Sequence, residues 1–294
     1  MLLNKGDKVI IVSPSSCIEK GSLDDGIKWL ESLGLKVILA PHIYDSFLYM
    51  AGLDVKRAED INNAFRDKSI KAIFCSRGGA GATRMLDYLD FNLIKQNPKP
   101  VFGLSDSTAL QNALYTKSDI ISYTGFLLAY DFKDCNADEK SITSVKNIFS
   151  GIEQIYKSGI TLNSGKTSGI LVGGNLSVFC YLCGTAYFPD LTDKILLIED
   201  IGEKTYKIDL MLNKLKQQKN FDKLKGIVFG KFTNCIEADE CDGNIETIIK
   251  NFAKTIQIPI IYDFEYGHVK SKYVLPIGQE IQLDADNSTI KIQG

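Results

Sequence analysis

Short runs of apolar residues alternate along the first half of the chain with segments in which apolar residues recur every three or four positions. Four such runs predict buried strands, because a parallel strand covered on both faces is apolar throughout. They are Lys8–Val12, Lys36–Ala40, Lys71–Cys75 and Lys99–Phe102. Helical spacing lies between them, at Leu23, Ile27 and Leu30 and over Asp54–Asp67. This alternation is typical of a parallel sheet with helices on its faces.

The pattern changes between about Asp131 and Lys166. A polar run is followed there by one amphipathic helix and by turns rich in glycine and serine. We therefore predict an N-terminal α/β domain over residues 1–150, a linker over 151–165 and a second α/β domain over 166–294. Apolar runs predict the strands of the second domain. They are Ile170–Val172, Lys194–Ile198 and Gly226–Gly230, with short strands at Tyr273–Pro276, Glu280–Leu283 and Thr289–Ile292.

Composition narrows the class of protein. The 294 residues carry a formal net charge of −2, which gives no reason to expect a nucleic acid or an anionic membrane as a partner. No stretch resembles a signal peptide or reaches the roughly 18 apolar residues of a membrane span, so we expect a cytoplasmic protein. The seven cysteines are odd in number and scattered, as is usual for reduced thiols. Cys180 and Cys183 have metal-ligand spacing, but the apolar residues around them favour a packed helix over a zinc site.

The segment Val101–Leu110 is the candidate for a catalytic nucleophile. A short strand reaches Gly103, Ser105 follows two residues later, and a helix begins. This order lifts a hydroxyl out of a sharp strand-to-helix turn, beside backbone N–H groups that the new helix leaves free. Ser107 stands where the G-x-S-x-G pattern has its second glycine, so the match is partial. On this segment alone, a serine that simply caps the helix explains the pattern as well.

A serine nucleophile needs a base and an acid that orients the base. Of the two histidines, His268 follows Gly267 in a loop and is a better candidate than His42, which ends a strand. Glu199 and Asp200 directly follow an apolar strand, and strand alternation places them on opposite faces, so that one can face a cleft while the other points away. Glu199 is the candidate acid, since Asp200 could equally cap the next helix and Glu203 is explained by the dipole of that helix.

Two segments could supply N–H groups to a developing oxyanion. One is the backbone after the nucleophile, at Asp106, and the other is the glycine-rich turn Gly78–Gly81. A phosphate cradle is the alternative for that turn, but Arg84 stands where a dinucleotide motif needs glycine and no G-K-[ST] is present.

Together these segments resemble the LD-carboxypeptidases, serine peptidases of the S66 type that include murein tetrapeptide carboxypeptidases and microcin C immunity hydrolases. The matching segments follow one another in the family's order along most of the chain. They are Ser13–Ser16, Lys71–Gly81, Gly103–Leu110, Gly173–Ser177, Gly184–Thr185, Ile195–Glu203 and Tyr266–Val269.

The resemblance implies a catalytic triad of Ser105, Glu199 and His268, with the N–H groups of Gly79 and Asp106 as the oxyanion hole. It implies a flavodoxin- or amidotransferase-like parallel-sheet domain joined to a smaller, β-rich domain. Members are typically cytoplasmic homodimers without a metal, so we expect no cofactor. Because the family includes murein carboxypeptidases, the resemblance also implies a muropeptide substrate. The expected reaction is release of the terminal D-alanine of a murein tetrapeptide during cell-wall recycling.

Some expectations stay open at this stage. Asn175 could hold the substrate, although a Gly-Gly-Asn run is as often a structural turn. Ala80 and the run Tyr123–Phe126 depart from the family pattern and could alter the cleft. An immunity-type hydrolase of peptidyl nucleotides is one alternative function, marked by an aromatic or basic loop for a nucleobase. A binding protein without catalytic activity is the other.

Overall fold

Two sheets form the frame of the protein in the computed structural model, which describes residues 2–132 and 138–293. Six of the described strands build the first sheet. They are β1 (Lys8–Val12), β2 (Lys36–Leu39), β3 (Ile70–Cys75), β4 (Val101–Gly103), β5 (Ser122–Thr124) and β12 (Leu275–Ile277). Their order is β12-β5-β4-β3-β1-β2, with β1 to β5 parallel and β12 antiparallel to β5. The predicted parallel sheet is confirmed.

Seven of the described helices lie between the strands of this sheet or between β5 and the second sheet. They are α1 (Asp24–Ser32), α2 (Asp54–Arg66), α3 (Ala82–Met85), α4 (Phe91–Gln96), α5 (Ser107–Ser118), α6 (Leu128–Asp131) and α7 (Glu139–Ser150). The predicted helix over Asp54–Asp67 therefore ends one residue earlier, at Arg66. Its apolar face, with Ala58, Ile61 and Phe65, is buried because these positions recur at helical spacing.

Eight of the described strands build the second sheet, which confirms the expected β-rich character. They are β6 (Gln154–Lys157), β7 (Ile160–Asn163), β8 (Lys166–Asn175), β9 (Lys194–Ile201), β10 (Gly226–Thr233), β11 (Ile260–Tyr262), β13 (Glu280–Asp284) and β14 (Thr289–Ile292). The order is β6-β14-β13-β8-β9-β10-β11-β7, and only β8 to β11 are mutually parallel. Three helices accompany them: α8 (Leu176–Tyr181), α9 (Thr205–Lys216) and α10 (Ile245–Ala253).

The predicted linker over residues 151–165 is corrected by the structure. Strands β6 and β7 lie within it and form the two edges of the second sheet. In β6, buried and exposed side chains alternate, as expected when only one face of an edge strand is covered. Such a four-residue strand carries no continuous apolar run. Residues 133–137, including Cys135, belong to the polar run used to place the boundary and lie outside the described residues.

One hydrophobic cluster joins the two sheets. It includes Ile10 and Ile73 of the first sheet, Leu110 of α5, and Leu196 and Phe229 of the second sheet, all buried. Because α5 begins just after Ser105 and packs between the sheets, the turn that carries Ser105 is anchored to both of them.

Candidate active site

Ser105 lies on a sharp turn between β4 and α5, as the sequence predicts. Its φ of 67° is in the left-handed region, which a residue with a side chain adopts at a cost of about 1–2 kcal/mol. Two glycines make room for this turn. A Cβ at Gly103 would lie 2.7 Å from the Ser107 hydroxyl, and one at Gly78 would lie 2.7 Å from Ser105 Cβ. Asp106, not Ser105, occupies the N-cap of α5, so the capping interpretation of Ser105 is wrong.

His268 and Glu199 form a hydrogen-bonded pair. The imidazole Nδ1 lies 2.8 Å from Glu199 Oε2, and the glutamate is fully buried while the histidine side chain is 16% exposed. When Nδ1 donates its hydrogen to this carboxylate, Nε2 is left as the acceptor nitrogen. The backbone at Gly267 passes so close that a Cβ there would lie 2.7 Å from Glu199 Oε2. Only glycine fits at this position, where φ is +118°.

Ser105 and His268 line the same cavity, which has a volume of about 590 Å³. Gly78 and Gly79 lie in its wall, at the carboxyl end of β3. Among the described residues, no hydrogen bond joins the Ser105 hydroxyl to the imidazole; such contacts often tighten only when substrate binds. His42 is outside the cavity lining and pairs with Asp60 at 2.8 Å.

Gly79 lines the cavity together with Ser105, and Asp106 follows Ser105 directly in the chain; their N–H groups are the expected oxyanion donors. Within residues 2–132 and 138–293, neither donates to another residue of the chain. The Asp106 carboxylate accepts a hydrogen bond from Ala82 N at 2.8 Å and so ties the nucleophile turn to the end of the glycine-rich turn. Ser16 Oγ accepts another from Ala80 N at 3.0 Å. Burial raises the pKa of the Asp106 carboxyl, although the hydrogen bond from Ala82 N and the nearby charge of Arg57 oppose the shift.

Asn175 lies next to Glu199 and is buried. Its side chain is buried outside the cavity lining, and Oδ1 accepts a hydrogen bond from Val178 N. Its Nδ2 group donates to Glu199 Oε1 at 3.2 Å and to Asp200 Oδ1 at 3.0 Å. These contacts give Asn175 a positioning role behind the glutamate, and its expected contact with substrate stays a prediction. Burial raises the pKa of the Asp200 carboxyl.

Arg57 is a buried residue of this region that the sequence analysis missed. Its guanidinium donates to the carbonyl oxygens of Gly81, at 2.9 Å, and Pro14, and it pairs with Asp54. Burial lowers the pKa of Arg57. The sequence could have indicated this burial. Arg57 lies four residues before Ile61, and this spacing places both side chains on the buried face of α2.

Ala80 and Phe126 belong to the segments that differ from the family's sequence pattern. Phe126 lines the cavity, whereas Ala80 does not. The ring of Trp29 stacks on the ring of Phe132 in the core, with 4.1 Å between the two ring centroids.

The residues that the structure describes contain no group of three or more histidine, cysteine or acidic side chains able to hold a metal ion. None of the described helices is long and apolar enough to cross a membrane.

Comparison with known proteins places this geometry in a family context. The family model of the LD-carboxypeptidase N-terminal domain matches residues 9–125, and that of the LD-carboxypeptidase C-terminal domain matches residues 168–283. A probable murein peptide carboxypeptidase of Bacillus subtilis (strain 168) is 33% identical over 296 residues, covering 99% of this chain and 93% of the relative. The murein tetrapeptide carboxypeptidase of Pseudomonas aeruginosa is 27% identical, covering 95% and 94%. The crystal structure of an MccF-like protein from Bacillus anthracis superimposes with a TM-score of 0.87 at 28% identity, covering 99% and 98%.

Proposed function

Because this chain belongs to the LD-carboxypeptidase family, we propose that it is a serine carboxypeptidase that releases the terminal D-alanine from a murein tetrapeptide. One observation carries the proposal. The His268–Glu199 pair, with its 2.8 Å hydrogen bond, and the strained Ser105 turn open into one cavity. That is the set of groups that acyl transfer by a serine requires.

Acylation begins at Ser105. The hydroxyl oxygen attacks the carbonyl carbon of the amide that joins the third residue to D-alanine, and its proton passes to His268 Nε2. Glu199 holds the imidazole in the tautomer that can accept this proton and stabilises the imidazolium that results. The N–H groups of Gly79 and Asp106 donate to the oxyanion of the tetrahedral intermediate.

Collapse of the intermediate breaks the carbon–nitrogen bond. The imidazolium gives its proton to the leaving amine, so D-alanine departs neutral at nitrogen and the peptide remains as an ester of Ser105. Water then attacks the ester with His268 again as the base. The second tetrahedral intermediate breaks down to the free tripeptide and regenerates the hydroxyl.

The test is D-alanine release from tetrapeptides carrying lysine or diaminopimelate at the third position. Wild type is compared with Ser105→Ala, Glu199→Ala and His268→Ala. We expect losses of turnover on the order of 10⁴-fold or more for Ser105→Ala and His268→Ala. Release of D-alanine by Ser105→Ala at the wild-type rate contradicts the mechanism.

A second candidate function is supported by Tyr130. This side chain is 53% exposed, lines the cavity and lies against the Arg77 guanidinium, whose carbon is 5.4 Å from the ring centroid. An exposed aromatic ring backed by a cation can stack on a nucleobase. Hydrolysis of an aminoacyl-sulfamoyl nucleotide, with no release of D-alanine from tetrapeptides, would favour an immunity-type hydrolase.

The cellular setting forms part of the same proposal. We propose a cytoplasmic homodimer that acts in cell-wall recycling, as the family resemblance implies. The six cysteines of the described residues are free thiols, which agrees with a reducing compartment.

A further inference from the structure

A buried ammonium group lies in the cavity that holds Ser105 and His268. Lys272 lines this cavity, and its side chain is only 4% exposed. Lys270 lines the cavity as well but is exposed to solvent. A charge removed from water interacts more strongly with a ligand than an exposed one, because less solvent screens it.

Among the described residues, the ammonium group of Lys272 has a single hydrogen-bond acceptor. Its Nζ donates to Asp131 Oδ1 at 2.6 Å, and Asp131 is the one acceptor for it in the described part of the chain. A lysine ammonium has three N–H donors, so two of them have no acceptor within residues 2–132 and 138–293. Buried charges are normally hydrogen-bonded to their full capacity, which indicates a further acceptor at this position.

The surrounding contacts fix Lys272 in place. Asp131 Oδ2 accepts a hydrogen bond from Leu127 N at 2.6 Å, which immobilises the carboxylate. The Ser141 hydroxyl contacts the backbone of Lys272 twice, accepting from its N–H and donating to its carbonyl, each at 3.1 Å. The second acidic group of the lining, Asp138, accepts a hydrogen bond from Ser141 N at the start of α7. Both carboxylates of the lining are therefore engaged by protein donors.

Lys272 is also close to the catalytic groups along the chain. It lies four positions after His268, so their Cα atoms are at most roughly 14 Å apart. The substrate group that a carboxypeptidase must recognise at this distance is the free carboxylate of the residue that it releases.

We propose that Lys272 anchors the terminal carboxylate of the substrate and thereby makes this enzyme a carboxypeptidase. This inference rests on the proposed function and names the group that the cavity selects. The ammonium donates its two remaining N–H groups to the carboxylate, while Asp131 keeps the third. A neutral amide at the same position cannot make these charge-assisted bonds.

The experiment compares two substrates, a murein tetrapeptide ending in D-alanine and the same peptide ending in D-alaninamide. The ratio of their kcat/KM values is measured for wild type, Lys272→Met and the control Lys140→Met, which removes a lysine ion-paired with Glu265 outside this cavity. The ratio is independent of the active fraction of each preparation. We expect wild type and Lys140→Met to prefer the carboxylate, and Lys272→Met to lose on the order of 10- to 100-fold of that preference.

An unchanged preference in Lys272→Met overturns the inference, as does equal cleavage of both substrates by wild type. Absence of D-alanine release by wild type contradicts the proposed function itself, and the inference then falls with it. If Lys272→Met does not fold, Asp131→Asn provides the test. It removes the competing carboxylate and should raise the preference above that of wild type; a lower preference overturns the inference.

Discussion

The side chain of Asn112 in α5 pairs with both backbone polar groups of Gly173 in β8. Its Nδ2 donates to Gly173 O at 2.8 Å, and its Oδ1 accepts from Gly173 N at 3.0 Å. One turn earlier in α5, Thr108 Oγ1 accepts from Asn175 N at 3.0 Å. Helix α5 begins after Ser105, and Asn175 pairs with Glu199 in the sheet register. These three hydrogen bonds therefore set the position of the nucleophile relative to the acid.

Replacement of Asn112 by leucine is expected to weaken this junction. The two backbone groups of Gly173 are buried, so losing their partner should lower the free energy of unfolding by about 1–3 kcal/mol. It should also lower kcat, because α5 can shift relative to β8. Chemical denaturation and D-alanine release measure the two effects. The control is Asn163→Leu, which removes hydrogen bonds to Ala253 and Ile256 away from the site. Its free energy of unfolding should fall, while its kcat should equal that of wild type. Equal kcat values for the two variants would contradict a positioning role.

Glu199→Gln tests the orientation of His268. An amide can place its NH₂ group against Nδ1, which favours the tautomer that carries its hydrogen on Nε2 and cannot accept the serine proton. We expect kcat to fall on the order of 10⁴-fold with the fold intact. Steady-state kinetics and a thermal melt provide the measurement. Glu246→Gln, at an exposed ion pair with Lys250 on α10, is the control and should be fully active. Turnover within tenfold of wild type in Glu199→Gln would exclude the triad.

Gly267→Ala tests the close approach of the backbone to Glu199. The new methyl group would lie 2.7 Å from Oε2, so the carboxylate must move and the imidazole with it. The control is Gly243→Ala, where φ is +74° and no atom lies within 4 Å of the new Cβ. Both variants carry the backbone cost of about 1 kcal/mol, and only Gly267→Ala should lose activity. Similar kinetics for the two variants would show that Glu199 tolerates displacement.

The pH dependence of stability should report the buried Asp106. Its carboxyl has a pKa raised above the ordinary value of 3.8, so the native state holds this proton to higher pH than the unfolded chain does. The stability that this group contributes is present below pH 3.8 and decreases as pH rises through the folded pKa. The unfolding free energy of wild type minus that of Asp106→Asn should therefore decrease from pH 3 to pH 7 in urea titrations.

Asp190 provides a control of opposite sign. Hydrogen bonds from Thr192 lower the pKa of its carboxyl to about 2. Its contribution is present above pH 3.8 and is lost as pH falls toward 2, so the same difference for Asp190→Asn should increase with pH. A rising difference for Asp106→Asn would contradict a raised pKa.

The sequence predicted the central strands well because burial on both faces leaves a continuous apolar run. Strands β1, β3 and β9 are of this kind, and each was found within two or three residues of its bounds. Edge strands are covered on one face or pair with distant segments. Strands β6 and β7 were therefore missed, and β12 was predicted as a strand without its partner in the first sheet.

The site was predictable where a local motif carries the geometry. Gly103 and Ser105 predict a sharp turn, and the position of Glu199 after an apolar run predicts an acidic residue at the end of a strand. The pairing of Glu199 with His268 came from the family resemblance, since spacing left several acids open. Asn175 and Lys272 act through partners 24 and 141 residues away, and no local pattern encodes such contacts.

Strand β12 gives the protein a particular order of assembly during synthesis. The first five strands of the first sheet are complete once residue 124 has been translated, but the neighbour of β5 is supplied by Leu275–Ile277. Until then the edge of β5 has open hydrogen-bonding groups. His268, the proposed base, precedes β12 by only a few residues. It is therefore synthesised at nearly the same time as the strand that covers the edge of β5. A chain that is truncated or stalled before β12 thus carries Ser105, the proposed nucleophile, on an unfinished sheet.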